Sequence, residues 1–469
     1  MAVLRNVSAP GYADDTVLKT DTRAMTVATA LFFMVGFLTC LNDVISPHLK
    51  SIFALNYSEV QSIPFFFFSS YFVFSYPGGK LVEKYGYKKT MVAGLFVMAA
   101  GALGFLPAAH FAVFALFLVA LVILAAGMTI VQVAINPYVT VIGPATTAAS
   151  RLNLAQAFNS VGTFIAPFIG TYLILRNAKP PLTATQVQLM SEVERQLYRA
   201  EQAATVRAPY LLITLALILL ALALAAIKLK TTTGVSQHTQ DFRPGAFAEA
   251  LSQEPDSIWR HPWLICGAIG IFVYVGAEVS IGNLLVSYMG LPTVAGLPEA
   301  SAGYFLMAYW GGAMVGRFIG SAVLQKVKTG WVVGLCAIGA LCLVLFSRQA
   351  TYTSGAISTL HLLGGNDLIV PHSLPMWTML AVGLCNSIMF PSIFTLGIQD
   401  LGPLTSKGSS LLIAAILGGA LVPKFQGMLA DSIGLQPSFI LPAICYIYIA
   451  CFGIAAIRRR PAANSPLAR

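Results

Sequence analysis

Twelve blocks of apolar residues, each long enough to cross a lipid bilayer, dominate this sequence. A membrane-spanning helix needs about 20 residues, and most of the blocks are uniformly apolar, so helices fit them better than the alternating strands of a barrel. Only 10% of the 469 residues are charged, against roughly 25% in soluble proteins, which excludes an ordinary soluble enzyme. We therefore predict an all-α membrane protein with twelve transmembrane helices, at 25–45, 60–82, 91–110, 112–142, 155–175, 210–227, 262–289, 302–323, 331–346, 377–396, 411–429 and 439–457.

The basic residues predict the orientation of these helices. With the N-terminus placed inside, 19 of the 28 Lys and Arg residues fall in cytoplasmic segments and 7 in outer loops, while Arg317 and Lys424 lie within spans. Because positive charge concentrates in cytoplasmic loops, both termini are expected in the cytoplasm of a multi-pass protein. The net charge of +10 is then a topology signal, and no nucleic-acid partner is expected. The scattered cysteines and histidines predict no metal site.

The chain also contains an internal repeat, which divides it into two halves of six helices. The two halves share small residues and prolines in three helix pairs, at sequence offsets of 240, 254 and 256: Val35-Gly36 with Val275-Gly276; Gln132, Pro137 and Gly143 with Asn386, Pro391 and Gly397; Gly162 and Pro167 with Gly418 and Pro423. Parallel repeats of this kind are related by an axis along the membrane normal. The predicted organisation is a tail (1–24), a first half (25–230), a linker (231–260), a second half (261–457) and a second tail (458–469).

The loop between the second and third spans carries a recognisable motif. Residues 79–89 read G-K-L-V-E-K-Y-G-Y-K-K, which resembles the signature of the major facilitator superfamily, with Glu83 for the more usual Asp. The resemblance implies two six-helix halves that alternate in access to the two sides of the membrane. Glycines permit close helix approach, and an acid among lysines can form ion pairs that close the cytoplasmic side; a basic membrane anchor is the alternative. The predicted gate residues are Gly79, Glu83, Lys84, Gly86, Lys88 and Lys89.

Two acidic residues lie well within the predicted spans, where a charge is costly and usually functional. Asp43 is toward the outer part of helix one, and Glu278 is near the middle of helix seven, its repeat partner. A desolvated carboxylate can bind and release a proton, or hold sodium beside other oxygens. We interpret both acids as candidates for coupling a cation to transport. The alternative is a buried structural pair with Arg317 or Lys424.

Neutral amides cluster on single helix faces in the fourth and fifth spans. Gln132 and Asn136 are four residues apart, and Asn153, Gln156, Asn159 and Ser160 share another face. Amides both donate and accept hydrogen bonds, as sugar hydroxyls do, so this pattern favours a sugar site. Interhelical hydrogen bonding alone is the alternative. The predicted sugar-binding set is Asn42, Gln132, Asn136, Gln156, Asn159, Glu278, Asn283, Trp310 and Asn386.

Several longer runs are more specific than the 79–89 motif: Leu41-Asn42-Asp43, 136–144, 151–160 (R-L-N-L-A-Q-A-F-N-S), 274–277, 316–318, 390–397 and 408–410. They resemble the fucose permease group, which includes bacterial glucose/galactose permeases. The resemblance implies sugar uptake driven by a cation gradient, normally protons, with Asp43 as the helix-one acid and Gln156, Asn159 and Asn136 as sugar-facing amides. Fucose permease has a helix-four glutamate where this chain has Gln132, and a helix-seven glutamine where this chain has Glu278.

These features together predict a sugar carrier and not an enzyme. We expect import of a hexose, glucose or galactose, by proton symport across a bacterial inner membrane, by a monomer that needs no cofactor. An L-fucose:proton symporter and a sodium-coupled glucose transporter are the alternatives within the family; a drug exporter, a membrane enzyme and a sensor lack supporting motifs. Two longer loops are expected outside. Residues 179–207 are polar and rich in Gln and Glu, which predicts a short surface helix, and residues 348–376 contain turn residues to which we assign no role.

Overall fold

The structure, a computed structural model, describes residues 20–53, 62–170, 190–227, 257–351, 357–361 and 367–459. Most of the predicted N-terminal tail, the linker up to 256 and the C-terminal tail from 460 lie outside these ranges. The side chains of Asn42 and Asp43 also lie outside the described part, although both residues belong to a helix.

The first half of the chain is entirely helical in its described part. Its second helix contains two crossings, because the backbone leaves helical geometry at Gly86, where φ is 77°. Gly tolerates a positive φ without strain, so the glycine of the 79–89 motif makes this turn. The helices are α1 (Thr22–Phe53), α2 (Ser62–Phe111), α3 (Phe114–Val141), α4 (Ala148–Gly170), α5 (Glu192–Ala204) and α6 (Arg207–Ala226).

The second half repeats this arrangement with more interruptions. Its first three helices are continuous, whereas the fourth and fifth crossings are each built from two helices. The helices are α7 (Pro262–Gly290), α8 (Glu299–Val323), α9 (Thr329–Gln349), α10 (Leu374–Asn386), α11 (Met389–Gly397), α12 (Thr405–Ala414), α13 (Gly418–Ile433), α14 (Leu435–Ser438) and α15 (Ile440–Arg458).

These helices make the twelve crossings that the sequence predicts, so the fold prediction is confirmed. Nine described segments, some joining consecutive helices, are long and apolar enough to span a membrane by composition. The count reaches twelve when α2 is divided at Gly86 and when α4 and α8 are included. Polar residues within α4 and α8, among them Asn153, Gln156 and Arg317, lower the mean hydropathy of these two helices.

Two predicted spans begin too late in the sequence. The predictions start at 155 and 411, whereas α4 begins at Ala148 and α12 at Thr405. The first turns of both helices contain polar residues, among them Ser150, Asn153 and Ser409, which are buried. They face other helices and not lipid, so hydropathy underestimates the length of both helices. Residues 171–175 of the predicted fifth span lie outside the described ranges.

The repeat-related glycines occupy equivalent helix contacts in the two halves. A Cβ atom on Gly162 of α4 would overlap the backbone of Phe33 on α1, and one on Gly418 of α13 would overlap the backbone of Phe272 on α7. Small residues let membrane helices approach closely and so increase their van der Waals contact. This contact matters in a bilayer, because the lipid tails are as apolar as the side chains and no hydrophobic force drives the helices together. The same close contact therefore joins the first and fifth crossings of each half.

The two long loops predicted to lie outside contain small elements of regular structure. Helix α5 confirms the predicted surface helix; it begins with a capping box in which the Ser191 side chain accepts from the Glu194 backbone and Glu194 bonds back to Ser191. The loop between α9 and α10 contains an antiparallel hairpin, β1 (Ile357–His361) and β2 (Asp367–Pro371). This hairpin is the one described departure from an all-α chain. The indole N–H of Trp377 donates to the Pro371 carbonyl and joins the hairpin to α10.

The Gly418 contact gives a test of the fold. We expect Gly418→Ala to destabilise the protein by about 1–3 kcal/mol, because the new methyl group must displace helix backbone. Gly427→Ala on the same helix is the matched control, since nothing lies within 4 Å of a Cβ atom there. Thermal unfolding of both variants in detergent measures the difference. Equal melting temperatures would contradict the close α7–α13 contact.

Candidate transport site between the two halves

The two halves are joined at the end of the bundle where α2 turns at Gly86, here called the Gly86 end. Hydroxyl groups of one half donate to backbone carbonyls of the other: Ser406 Oγ to Gly79 O (3.0 Å), Ser409 Oγ to Val133 O (2.9 Å) and Ser150 Oγ to Ser321 O (2.6 Å). The Gly79 contact is tight, since a Cβ atom there would overlap the Ser410 hydroxyl. These contacts close the Gly86 end of the path between the halves.

Two repeat-related prolines provide carbonyls for this region. A proline within a helix has no N–H, so the carbonyl four residues earlier lacks its helical partner. Pro137 leaves Val133 O available, and this oxygen accepts from Ser409 of the other half. Pro391 likewise leaves Ser387 O available, and this oxygen accepts from Arg317 Nε at 3.1 Å. The prolines therefore create acceptors inside the membrane where polar side chains need them.

The predicted gate residues lie at the Gly86 end, but they have different surroundings. Gly79 is buried in the junction, whereas Glu83, Lys84 and Lys89 are exposed. Lys88 Nζ donates to the Ala225 carbonyl at 2.8 Å, which holds the loop to α6 of its own half. Of the motif residues, Gly79 is the one that makes a described hydrogen bond to the other half, through its carbonyl.

The predicted amides of the first half form one connected cluster. Gln132 Nε2 donates to Tyr71 Oη at 2.9 Å, and Asn136 Nδ2 donates to the Gln132 carbonyl at 2.8 Å. Gln156 Nε2 lies 3.5 Å from Asn136 Oδ1, which brings the faces of α3 and α4 together. All three amides are at most 8% exposed. A chain of neutral donors and acceptors therefore lines the inner surface of this half.

The other helix-four and helix-five amides are more separate. Asn159 is half-buried and its Nδ2 donates to the Phe32 carbonyl on α1 at 3.0 Å. Asn153 lies nearer the Gly86 end, where its Nδ2 is 3.4 Å from Ser392 Oγ of the second half, and its Oδ1 is buried with no hydrogen-bond partner among the described residues. Asn153 thus belongs to the junction between the halves, and Asn159 belongs to the contact between α1 and α4.

The second half contains a network of buried tyrosines around Asn386. Asn386 Nδ2 donates to Tyr309 Oη at 2.8 Å, and its Oδ1 accepts from Tyr446 Oη at 2.7 Å. Tyr274 Oη donates to the Asn386 carbonyl at 3.0 Å. Asn386 and the three tyrosines are completely buried. Both ends of the Asn386 amide are therefore engaged within the protein, which favours a role in holding α7, α8, α10 and α15 together.

The described site also contains two ionisable side chains, Glu278 and Arg317. Their side chains are each 12% exposed, and Arg317 Nη2 lies 3.8 Å from Glu278 Oε1. From the sequence, the alternative to a coupling role is a buried structural pair with Arg317 or Lys424. The structure pairs Glu278 with Arg317, whereas Lys424 is exposed. Arg317 Nη1 also contacts the Gln156 carbonyl at 3.4 Å and the Ser160 hydroxyl, both in the first half. The guanidinium is thus shared between the two halves.

The other predicted sugar ligands can be placed only in part. Trp310 is half-buried and its ring packs on Gly282, whereas Asn283 is exposed on α7. Asn42 and Asp43 lie on α1, and their side chains are outside the described residues. The described candidates that come together are the amide cluster of the first half and the Glu278–Arg317 pair of the second.

Sequence reasoning did not assign roles to several residues of this site. Tyr71, Tyr309 and Tyr446 gave no signal, because each predicted span that contains one of them also contains a second tyrosine, and tyrosines are common in membrane helices. Arg317 was considered only as a partner for an acid, and its contacts with Gln156 and Ser160 were not foreseen. The available signal was that Arg317 is one of two basic residues inside the predicted spans.

Comparison with known proteins agrees with this architecture. The family model of the Major Facilitator Superfamily matches residues 27–415. The chain belongs to this superfamily. Its members are membrane transporters and not enzymes, and the resemblance drawn from the 79–89 motif is therefore confirmed.

Individual relatives cover nearly the whole chain. A glucose/galactose transporter of Brucella abortus is 46% identical over 432 residues, covering 92% of this chain and 93% of its own. An L-fucose-proton symporter of Escherichia coli is 33% identical over 444 residues, covering 93% of each chain. The crystal structure of the superfamily transporter FucP in the outward conformation matches with a TM-score of 0.77 at 30% identity, covering 92% of this chain and 98% of that one. The narrower resemblance to the fucose and glucose/galactose permeases is confirmed.

The Asn386 network gives a prediction for this superfamily member. We expect Asn386→Leu to lower the free energy of unfolding by about 1–3 kcal/mol, because the hydroxyls of Tyr309 and Tyr446 lose a buried partner. Asn283→Leu, at an exposed position on α7, should change stability by less than about 0.5 kcal/mol. Thermal unfolding in detergent measures both. If the two variants melt together, Asn386 does not hold the network.

Proposed function

We propose that this protein imports a hexose, glucose or galactose, by cation symport through alternating access, with the proton as the favoured cation. The observation that carries the proposal is the meeting of two unlike polar surfaces at the junction of the halves. One is the neutral amide cluster of Gln132, Asn136 and Gln156; the other is the Glu278–Arg317 pair. Neither surface is needed to complete a helix, and both lie on predicted membrane spans, where polar groups are costly and usually functional.

The amide cluster supports a sugar as the substrate. A sugar hydroxyl donates one hydrogen bond and accepts others, and a primary amide does the same, so amides can replace the water around a sugar. A carboxylate such as Glu278 accepts strongly from hydroxyl groups. The half-buried indole of Trp310 offers an apolar ring of the kind that packs on a sugar face. An apolar drug would make poor use of these groups.

The relatives support glucose or galactose in particular. The Brucella abortus relative is named a glucose/galactose transporter, and it is more similar to this chain than the Escherichia coli L-fucose-proton symporter. The departures from fucose permease at Gln132 and Glu278 point in the same direction. L-Fucose remains the second candidate, because that symporter also covers almost the whole chain.

The charges of the site support Asp43 as the group that carries the coupling proton. Arg317 Nη2 lies 3.8 Å from Glu278 Oε1, so its positive charge can balance a negative charge on Glu278. Asp43 is the other acid well within the predicted spans, and the resemblance to fucose permease assigns the helix-one acid a part in transport. Glu278 then serves as a sugar contact and as a charge partner of Arg317.

The basic residues and the closed Gly86 end support an orientation for the whole protein. The Lys and Arg bias supports a cytoplasmic location for the Gly86 end and both termini, in a protein that we propose to be a monomer in the inner membrane of a bacterial cell. The hydroxyl–carbonyl contacts that close the Gly86 end would then give an outward-facing carrier. The match to an outward FucP structure supports the same assignment.

Uptake by purified protein in proteoliposomes tests the proposal. Proton and sodium gradients are imposed separately, and labelled glucose is competed with galactose, fucose and xylose. We expect accumulation with an inward proton gradient and competition by galactose. Accumulation with sodium alone would identify the sodium-coupled alternative, stronger competition by fucose would favour the fucose symporter, and no saturable uptake under either gradient would contradict the proposal.

The coupling role assigned to Asp43 gives a second prediction. Asp43→Asn should retain exchange of labelled for unlabelled sugar but lose at least about 90% of gradient-driven accumulation, because an amide side chain does not bind and release a proton near neutral pH. Asp431→Asn, at an exposed position of α13, is the control and should accumulate normally. Both are measured in the same vesicles. Unchanged uphill accumulation by Asp43→Asn would assign the proton to another group.

A further inference from the structure

Arg317 joins the two halves through a single guanidinium. Its Nε donates to Ser387 O within the second half at 3.1 Å, while Nη1 contacts Ser160 Oγ and the Gln156 carbonyl of the first half. Nη2 is 3.8 Å from Glu278 Oε1, which is beyond normal hydrogen-bond length. In this conformation the first-half oxygens are therefore the closer partners of the terminal nitrogens.

One carboxylate oxygen of Glu278 accepts no hydrogen bond from the described residues. This atom, Oε1, is buried. An ionised oxygen in such a site is unfavourable unless a donor reaches it. A movement of about 1 Å would bring Arg317 within the length of a charge-assisted hydrogen bond. The unsatisfied Glu278 oxygen thus lies beside the Arg317 guanidinium, which is hydrogen-bonded to Ser160 and Gln156 of the first half.

Opening of the Gly86 end must break the contacts of Arg317 with the first half. Arg317 lies near the end of α8 and Ser160 lies on α4, and these helices belong to different halves. When the halves part, Nη1 loses both acceptors, and a guanidinium inside a membrane protein cannot remain without them at low cost. The nearby carboxylate of Glu278 belongs to the same half and moves with Arg317.

We propose that Arg317 is a switch residue that exchanges partners during transport: it holds Ser160 and Gln156 while the Gly86 end is closed, and it bonds fully to Glu278 when that end opens. Glu278 then stabilises the open state, and Ser160 stabilises the closed state. This inference rests on the proposed alternating-access function, but it concerns the protein without sugar, so it can fail while the proposed function stands.

The proposal gives two substitutions with opposite effects. Ser160→Ala removes an acceptor used only in the closed state and should favour opening of the Gly86 end. Glu278→Gln removes the charge used in the open state and should favour closure. A loss of packing at either position would instead loosen the junction in both variants. The sign of the change therefore separates the switch from a merely structural role.

A cysteine at position 409 reports opening. Ser409 is completely buried between the halves, so Ser409→Cys should react with N-ethylmaleimide only when the Gly86 end opens. Mass spectrometry of the peptide containing position 409 measures the alkylation rate of the sugar-free protein in detergent, without replacing the native cysteines. We expect Ser160→Ala to raise this rate roughly tenfold and Glu278→Gln to lower it by a similar factor. Adding Arg317→Gln should abolish the effect of Glu278→Gln.

Thr163→Val on α4 is the matched control, because its hydroxyl bonds to Gly36 O and Asn159 O inside the first half. Its alkylation rate should equal that of the parent. If Ser409→Cys folds poorly, Ser406→Cys provides a second buried reporter at the same junction. Equal-sign changes in Ser160→Ala and Glu278→Gln, or no change in Glu278→Gln, would overturn the proposal. Absence of sugar uptake by the wild-type protein would contradict the proposed function instead.

Discussion

A guanidinium inside the membrane needs acceptors for its N–H groups, and this requirement organises the junction between the halves. Arg317 is 12% exposed and donates to acceptors on α4 and at the break between α10 and α11, with the Glu278 carboxylate of α7 at 3.8 Å. Each acceptor fixes the position of the helix that carries it. The break is needed because a regular helix has no carbonyl to spare, and Pro391 supplies one by lacking an N–H. Removal of the guanidinium would therefore leave the carbonyl and hydroxyl oxygens around it without this hydrogen-bond donor.

The two halves share a backbone plan but use it for different chemistry. The prolines at 137 and 391 are equivalent in the repeat, and each makes one carbonyl available within its helix. In the first half this carbonyl accepts a hydrogen bond from the neutral hydroxyl of Ser409 across the junction, whereas in the second half it accepts one from the charged guanidinium of Arg317. Close glycine contacts, in contrast, are the same in both halves. The helix packing at Gly162 and Gly418 therefore follows the symmetry of the repeat, whereas the donors to the two proline-freed carbonyls differ in charge.

The sequence predicts those parts of this protein that depend on composition and spacing. Apolar length locates the twelve crossings, and the offsets of glycines and prolines reveal the repeat before any contact is known. Hydropathy fails at α4 and α12, because Ser150 and Ser409 are buried against protein and not against lipid. It also cannot show that Asn386 is bonded at both ends, since Tyr309 and Tyr446 approach it from helices far apart in sequence. Partner choice is a tertiary property, and a single sequence carries little of it.

The contrast between the halves bears on how transport can be coupled to a cation. In the second half three tyrosines and Asn386 are buried and bonded to one another, so these side chains have little freedom to move. The group beside them that has a choice of partner is Arg317, which stands between Glu278 and the first half. In the first half the amides are neutral and can exchange protein partners for sugar hydroxyls at small electrostatic cost. Under the proposed function, sugar binding would change hydrogen bonds mainly in the first half, while Arg317 joins that half to Glu278 in the second. A sugar that draws Gln156 toward itself would act on α4, whose Gln156 carbonyl accepts from Arg317, and this would connect occupancy of the site to closure of the Gly86 end.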